Sequence, residues 1–242
     1  MPAPVKIDIL PCGEAALRVT VYDGDTERVW ATVHRLAARI RHELPSTVSA
    51  VPTYDAVLVE FDPYHTTADL ITFLIQSWDH DWDDAAPEPG QVIDVPVLFG
   101  GAAGPDLDRV AGVVGEPVSR VVEIVCAREH LIRCLGGPAA SAMTDGPDFR
   151  VPVPRLPEPR LRVPAGAVSV AGRQAVIGPV AAPSGWRQIG RTPLTILRTD
   201  TGESGADDVV PYRPGDRVRF RPIDAATYTD LLGLPMEYLT ND

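Results

Sequence analysis

Cysteine and histidine are scarce in this sequence, and those present follow no metal-binding pattern. The three cysteines, Cys12, Cys126 and Cys134, form no CxxC pair, and the five histidines form no HxH or HxxxH pair. Structural zinc sites need closely spaced cysteine or histidine ligands, and an odd cysteine count does not indicate a disulfide framework. We therefore expect buried or unreactive thiols and no metal site.

Long apolar runs and an excess of basic residues are also missing. No run approaches the roughly 20 apolar residues that span a bilayer, and the 242-residue chain has a net charge of −11. An acidic chain is a poor partner for nucleic acid or an anionic membrane surface. The N-terminal stretch MPAPVKIDILPCG has one lysine and no long apolar region, which is not typical of a signal peptide. We predict a cytoplasmic protein that binds neither nucleic acid nor membrane.

The sequence contains none of the common catalytic or nucleotide-binding loop motifs. No GxSxG elbow is present, which argues against a Ser-His-Asp hydrolase. No GxxxxGK[ST] occurs, and no GxGxxG follows a strand, so any contacts to ATP would come from a partner protein. An AMKM-like biotinylation segment is absent as well, and any biotin would arrive on another protein.

The first ninety or so residues alternate between strand and helix patterns. Residues 25–44 and 66–78 repeat apolar positions at steps of three and four, as amphipathic helices do. Strand-like runs rich in apolar residues occupy 15–22, 48–54, 56–61 and 91–99. The order β-α-β-β-α-β predicts a ferredoxin-like domain. The acidic, proline-rich segment 79–90 predicts a solvated loop, with an acidic metal site as the alternative, although no EF-hand spacing is present.

The remainder of the chain changes from this rhythm to short strands. Residues 100–115 and 116–130 predict two short helices, with Pro105 and Pro117 in their first turns, and residues 224–234 a terminal helix. Short β-prone runs separated by Gly/Pro turns predict a closed or sandwiched β domain; they are 160–164, 167–172, 175–180, 194–199 and 217–223. We expect an α+β protein with domains at 1–92 and 93–242.

Four ordered motifs carry a family resemblance. They are RVPAG (162–166), SVAGRQ (169–174), SGWRQIGRTP (184–193) and PGDRVRF (214–220), and GGAAGPDL (100–107) adds a fifth segment. By these motifs essentially the whole chain resembles the carboxyltransferase-like subunit 1 family. That family includes the B subunit of ATP-dependent 5-oxoprolinase, the subunit-1 half of allophanate hydrolase and a sporulation-kinase inhibitor. The resemblance implies a ferredoxin-like N-terminal domain, a cyclophilin-like β-barrel, and a hetero-oligomer with a subunit-2 protein, the counterpart of the C subunit of 5-oxoprolinase.

The chain departs from the family pattern at positions that could touch a ligand. Ala102 stands where the family usually has Glu, and Val125 where it usually has His. The family's aromatic loop corresponds to residues 136–147, where Gly137, Ser141 and Met143 replace two phenylalanines and a tyrosine. Losing an acid removes a general base or a charge partner, and losing aromatics removes a pocket wall.

The resemblance, read with residue chemistry, gives a set of candidate site residues. Arg191 can clamp a carboxylate or phosphate through two hydrogen bonds, and Gln174 and Thr192 can bond a lactam or a developing oxyanion. We predict these three as catalytic. The predicted substrate-binding residues are Arg162, Trp186, Gly185 and Ser141.

Structural roles are the alternatives at the same positions. Arg191 would pair with a carboxylate such as Asp216, Trp186 would pack in the core, and Gln174 would be exposed or bond the backbone. His130 is expected to pack rather than to act as an acid or base.

Three functions remain open. The first is a 5-oxoprolinase component that opens 5-oxoproline to glutamate with a subunit-2 partner. The second is a non-catalytic regulatory or binding protein, and the third is an enzyme of a biosynthetic pathway with a relined pocket and another small-molecule substrate.

Overall fold

The computed structural model describes residues 5–45, 48–78, 90–198 and 209–236. The chain divides into two units, Met1–Glu88 and Pro89–Asp242, each with its own hydrophobic core. None of the described helices combines the length and the apolar character that crossing a membrane requires. Residues 79–89 of the acidic segment 79–90, which is predicted to be a solvated loop, lie outside the described residues.

The first unit is a four-stranded antiparallel sheet with two helices. Its elements are β1 (Lys6–Pro11), β2 (Ala16–Tyr22), α1 (Thr26–Glu43), β3 (Val48–Pro52), β4 (Ala56–Phe61) and α2 (Ala68–Ser77). Helix α1 begins where the Asp25 carboxylate accepts the amide hydrogens of Glu27 and Arg28. Its apolar positions, spaced three and four residues apart, are buried at Val33, Leu36, Ala37 and Ile40.

The strand order of this sheet is β1-β2-β4-β3. This is the ferredoxin-like arrangement, but its outer strand comes from the N-terminus rather than from the end of the unit. The prediction that residues 91–99 complete this sheet is wrong, because that strand belongs to the second unit. The strand that takes its place, β1, is missing from the prediction because its apolar run is short and ends at Pro11.

The second unit is built on a closed barrel. Its strands are β5 (Val92–Phe99), β6 (His130–Gly136), β7 (Ser141–Asp145), β8 (Arg160–Val163), β9 (Ala167–Ala171), β10 (Gln174–Ile177), β11 (Ala182–Ser184), β12 (Arg187–Arg191) and β13 (Arg217–Pro222), and its helices are α3 (Leu107–Val114), α4 (Val118–Cys126) and α5 (Ala225–Asp230). The barrel closes in the order β10-β7-β6-β13-β5-β12-β9, and β8 and β11 form a separate two-stranded sheet. The α+β prediction with a cyclophilin-like barrel is confirmed.

Two local predictions in the second unit are corrected. Residues 194–198 form no strand and share only an isolated bridge between Thr195 and Pro235. Conversely, the glycine-containing stretch SGWRQIGRTP, which lies between two of the β-prone runs and is not predicted as a strand, contributes the strand β12. Any side chain is disfavoured at position 190, because a Cβ there would overlap the side chain of Val97 on β5.

Candidate functional site: a buried polar cluster on strand β12

Strand β12 has an unusual neighbour along half of its length. It pairs with β5 only through Gly190–Phe99 and Arg191–Leu98. Beyond the end of β5, the loop of residues 100–106 continues along β12: Gly100 N–H donates to the Ile189 carbonyl (3.1 Å), and Asp106 N–H donates to the Gln188 carbonyl (3.0 Å). The loop therefore takes the place of a neighbouring strand beside this half of β12 and brings the Asp106 side chain next to it.

Gly104 is what allows this loop to approach so closely. A Cβ at this position would overlap the backbone carbonyl of Ile189 on β12. The requirement is steric, since any side chain would occupy space that a neighbouring backbone already fills. The last glycine of the stretch GGAAG thus has a structural cause.

Asp106 is the centre of a polar cluster that also contains Arg160, Arg187 and Gln188. Its side chain is only 6% exposed and binds the Arg160 guanidinium through two hydrogen bonds of 2.6 and 2.8 Å. Its carboxylate also accepts the Gln188 N–H (2.8 Å). Burial by itself raises the pKa of Asp106, but the bonds to Arg160 and to the Gln188 amide outweigh burial and hold that pKa below its usual range. The carboxylate is therefore ionised at neutral pH and fully engaged, which suits a positioning group better than a base.

Arg187 is the cation of this cluster with unused hydrogen-bonding capacity. It is 5% exposed, and its Nε donates to the Pro154 carbonyl (2.8 Å). Its Nη1 is buried and has no hydrogen-bond partner among the described residues. Because buried donors are nearly always paired, an unpaired guanidinium nitrogen is unusual in a protein interior. Gln188, whose Nε2 donates to the Ala103 carbonyl (2.7 Å), ties β12 to the loop beside it.

Arg191 and Thr192, both predicted as catalytic, lie together at the far end of β12. Arg191 is half-buried and its Nε donates to the Ala165 carbonyl (2.9 Å). Thr192 is buried, and its N–H donates to the Gly166 carbonyl (2.9 Å). Both residues hold the turn that precedes β9, where Gly166 adopts a positive φ of 77° against Thr192.

Ser141 lies at the same end of the barrel as Arg191. The pairs Ala142–Ile177, Ile177–Val168 and Val168–Gly190 form one row across four strands, and Ser141 and Arg191 are the next residues beyond it. Ser141 is buried and its Oγ donates to the Pro138 carbonyl (2.9 Å). Residues 136–147 thus contain a β-hairpin rather than an open loop.

Gln174 lies at the opposite end. It pairs with Ala171, whereas Arg191 pairs with Ala167, so four residues of β9, or about 13 Å at the usual rise, separate the two positions. The predicted trio of Arg191, Thr192 and Gln174 is therefore not brought together at one point.

The remaining predicted residues lie nearer to Gln174 or on the surface. Trp186 and Gly185 directly precede β12 at the end where Gln174 lies; Trp186 is buried, with the Arg155 guanidinium 5.5 Å from its ring centre. Arg162 is exposed on β8. Their roles in substrate binding stay predictions.

Sequence reasoning misses the four residues of the polar cluster: Asp106, Arg160, Arg187 and Gln188. All four lie in or beside the motif segments, but nothing in a linear sequence shows that positions 106 and 188 are in contact. One signal in the sequence could have drawn attention to Arg187 and Gln188: they are adjacent polar residues in a family motif directly before the apolar run 194–197.

His130, Cys126 and Cys134 of this unit have surroundings that favour packing roles over reactive ones. Burial raises the pKa of the Cys126 and Cys134 thiols to about 11, so both stay protonated at neutral pH. The His130 ring is fully buried, contacts the carbonyl oxygens of Val125 (2.8 Å) and Asp145 (3.0 Å), and packs against Phe220. Burial lowers the pKa of His130. These contacts agree with a packing role.

Comparison with known proteins places this fold among relatives. A family model described as carboxyltransferase domain, subdomain C and D, matches residues 7–204. The B subunit of 5-oxoprolinase from Escherichia coli O157:H7 is 33% identical over 197 residues, covering 81% of this chain and 85% of that protein. The corresponding B subunit from Bacillus subtilis (strain 168) is 28% identical over 235 residues, covering 93% and 96%.

A solved structure adds evidence on the fold alone. The Kluyveromyces lactis urea carboxylase superposes with a TM-score of 0.76 at 16% identity, over 98% of this chain and 24% of that longer one. Because the family model covers most of the sequence and a relative is 33% identical over 81% of it, this chain belongs to the carboxyltransferase family of subdomains C and D.

Proposed function

We propose that the chain is the B subunit of a 5-oxoprolinase-type complex, which opens 5-oxoproline to glutamate with a subunit-2 partner. The observation that carries this proposal is the 33% identity to a 5-oxoprolinase B subunit over 81% of the chain. In the reaction the lactam C–N bond breaks, water supplies a hydroxyl to the carbonyl carbon and a proton to the nitrogen, and hydrolysis of ATP to ADP and phosphate drives the opening. The contacts to ATP come from the partner or from the assembled complex.

In this proposal Arg187 binds the carboxylate of 5-oxoproline. Its buried, unpaired Nη1 supports this role. The ionised Asp106 and its bonds to Arg160 and Gln188 keep β12 and the loop of residues 100–106 in register, so that Arg187 keeps one orientation. The sequence prediction instead assigns the substrate carboxylate to Arg191. Both arginines bond a backbone carbonyl through Nε, but only Arg187 has a buried nitrogen without a partner among the described residues.

The experiment compares these two arginines in the reconstituted complex. The chain is co-expressed with a subunit-2 protein, and phosphate and glutamate release are measured with and without 5-oxoproline. We expect Arg187→Gln to raise the KM for 5-oxoproline about tenfold or more, because a charge-assisted pair is lost. Arg191→Ala should have a smaller effect, and Arg109→Ala, at an exposed position on α3, is the matched control.

Two results would decide against the proposal. If a complex with the partner forms but shows no 5-oxoproline-dependent phosphate release, the reaction assignment is wrong. If Arg191→Ala removes turnover while Arg187→Gln does not, the carboxylate site lies at the other end of β12.

A non-catalytic or relined family member is the second candidate. It is favoured by the positions where the family's ligand-facing residues are replaced: Val125 is buried in the core, Ala102 is exposed, and residues 136–147 form a hairpin without aromatic side chains. Partner binding without turnover of 5-oxoproline would favour this candidate. A cytoplasmic location remains a prediction from the sequence.

A further inference from the structure

A cavity lies in the barrel unit, and none of the four residues of the polar cluster lines it. It has a volume of about 420 Å³ and is bounded by the C-terminal end of α3, by α4 and by residues 148–150. Its apolar wall includes Val114, Ile124 and Phe149. The volume falls within the range of roughly 300–1,000 Å³ that is usual for small-molecule sites.

The polar side of this cavity is rich in arginine, although the chain as a whole is strongly acidic. Arg120, Arg128 and Arg150 line it together with two carboxylates, Glu116 and Asp148. Arg120 pairs with Glu123 (2.9 Å), but both side chains are more than half exposed, so this pair is easily exchanged. Arg150 is exposed and makes no ion pair within the described part of the chain. The residues that line the cavity thus include one more cation than anions.

Arg128 is held in place mainly by the backbone. One of its terminal nitrogens, Nη2, donates to the Gly146 carbonyl (2.7 Å) and lies 3.2 Å from Asp148, whose side chain is 77% exposed. Its Nε is buried and has no hydrogen-bond partner among the described residues. The guanidinium is therefore oriented but only weakly neutralised, as in sites that receive an anionic ligand.

We propose that this cavity binds a small organic monocarboxylate. The carboxylate faces Arg128 and Arg150, and the apolar body of the ligand packs against Ile124 and Phe149. A single excess positive charge, with Glu116 and Asp148 nearby, favours a monoanion over a polyphosphate, whose charge the two carboxylates would repel. The site is separate from the proposed function, since none of the four residues of the polar cluster lines it.

The test uses the full chain and simple probes. Amide chemical shifts are followed by NMR during titration with benzoate, with its neutral counterpart benzamide, and with inorganic phosphate. We expect benzoate to shift residues 114–128 and 148–150 saturably, and benzamide and phosphate to bind at least about tenfold more weakly. Arg128→Gln should weaken benzoate binding about tenfold or more, whereas Arg109→Gln, on the exposed surface of α3, should not.

The outcomes separate the alternatives. Equal binding of benzoate and benzamide would overturn the role of the arginines, and equal binding of phosphate would overturn the organic-acid class. If Arg128→Gln does not fold, the exposed variant Arg150→Gln replaces it and must weaken benzoate binding. Unchanged binding in this variant, or shifts confined to other parts of the chain, would refute the site.

Discussion

Asp106 shows how a single buried carboxylate can link three segments of the chain. It joins the loop of residues 100–106, strand β12 through the Gln188 amide, and strand β8 through Arg160. Its pKa in the folded protein is below the value in the unfolded chain, about 3.9. The ionised form therefore stabilises the fold above that value, and this contribution is lost as the pH falls through the folded-state pKa.

We expect Asp106→Asn to lower the free energy of unfolding at pH 7 by about 2 kcal/mol. The substitution leaves the partly buried Arg160 without its counter-ion, while the new amide oxygen can still accept the Gln188 N–H. At pH 3 the difference between the variant and the original protein should shrink, because pH 3 lies below the unfolded-state pKa of about 3.9, so the unfolded chain takes up a proton there while the pKa of Asp106 in the folded protein is lower. Urea unfolding at pH 7, 5 and 3 measures both differences.

A matched variant checks that burial is the cause. Glu123→Gln removes an ion pair whose two side chains are 57% and 62% exposed, and it should cost no more than about 0.5 kcal/mol at any of these pH values. A stability difference for Asp106→Asn that stayed constant down to pH 3 would contradict the ionised, paired state of the carboxylate.

At the level of residues, the sequence identifies segments that have a structural role better than it predicts which residues are in contact. The motif stretches RVPAG and SGWRQIGRTP contain residues that hold real structural positions, and Arg191 and Thr192 do lie together. Gln174 could not be separated from them, because the register of β9 with both neighbours is what places it at the other end. Arg187 could not be recognised either, since its burial and its bond to the Pro154 carbonyl, 33 residues earlier in the chain, appear only in the folded structure.

Among the elements, the loop of residues 100–106 depends on close contact between two backbones. We expect Gly104→Ala to destabilise the protein by about 3 kcal/mol, because the added methyl group would overlap the Ile189 carbonyl, which cannot move without displacing β12. Thermal unfolding followed by circular dichroism measures this change. Activity of the proposed complex should fall with it, since the same shift would displace Arg187.

Gly112 provides the matched control on the neighbouring helix. It lies inside α3, and a Cβ there meets no atom within 4 Å. Gly112→Ala should therefore raise stability by up to about 1 kcal/mol through helix propensity alone. If Gly104→Ala unfolded at the same temperature as the original protein, the close docking of the loop on β12 would be disproved.

The element pattern also explains which strands the sequence can predict. Helices α1 and α2 and strands β2 to β4 follow local apolar periodicity, which predicts their positions. Strand β5 is assigned to the wrong sheet because its parallel partner, β13, follows more than 100 residues later. Local pattern shows that a segment is a strand, whereas its sheet is decided by pairings of long sequence separation.

On the scale of the whole molecule, the sheets of the two units share no strand among the described residues. The paired strands of each sheet come from one unit, and each unit has its own hydrophobic core. We expect the fragment 89–242 to fold alone, with a cooperative urea unfolding transition and a dispersed amide NMR spectrum. A fragment beginning at residue 100 should not fold, since it lacks β5, which stands between β13 and β12 in the barrel.

A third fragment, 93–242, tests the predicted domain limit directly. It lacks Gln91, whose N–H donates to the Asp216 carboxylate (3.0 Å) and whose carbonyl accepts the Arg217 N–H (2.8 Å), and it lacks the buried Val92. Losing two hydrogen bonds and one buried valine should lower its stability relative to 89–242 by about 3 kcal/mol. Urea unfolding of the two fragments measures this difference. Equal stabilities would place the limit at 92, because residues 89–92 would then contribute nothing to the barrel.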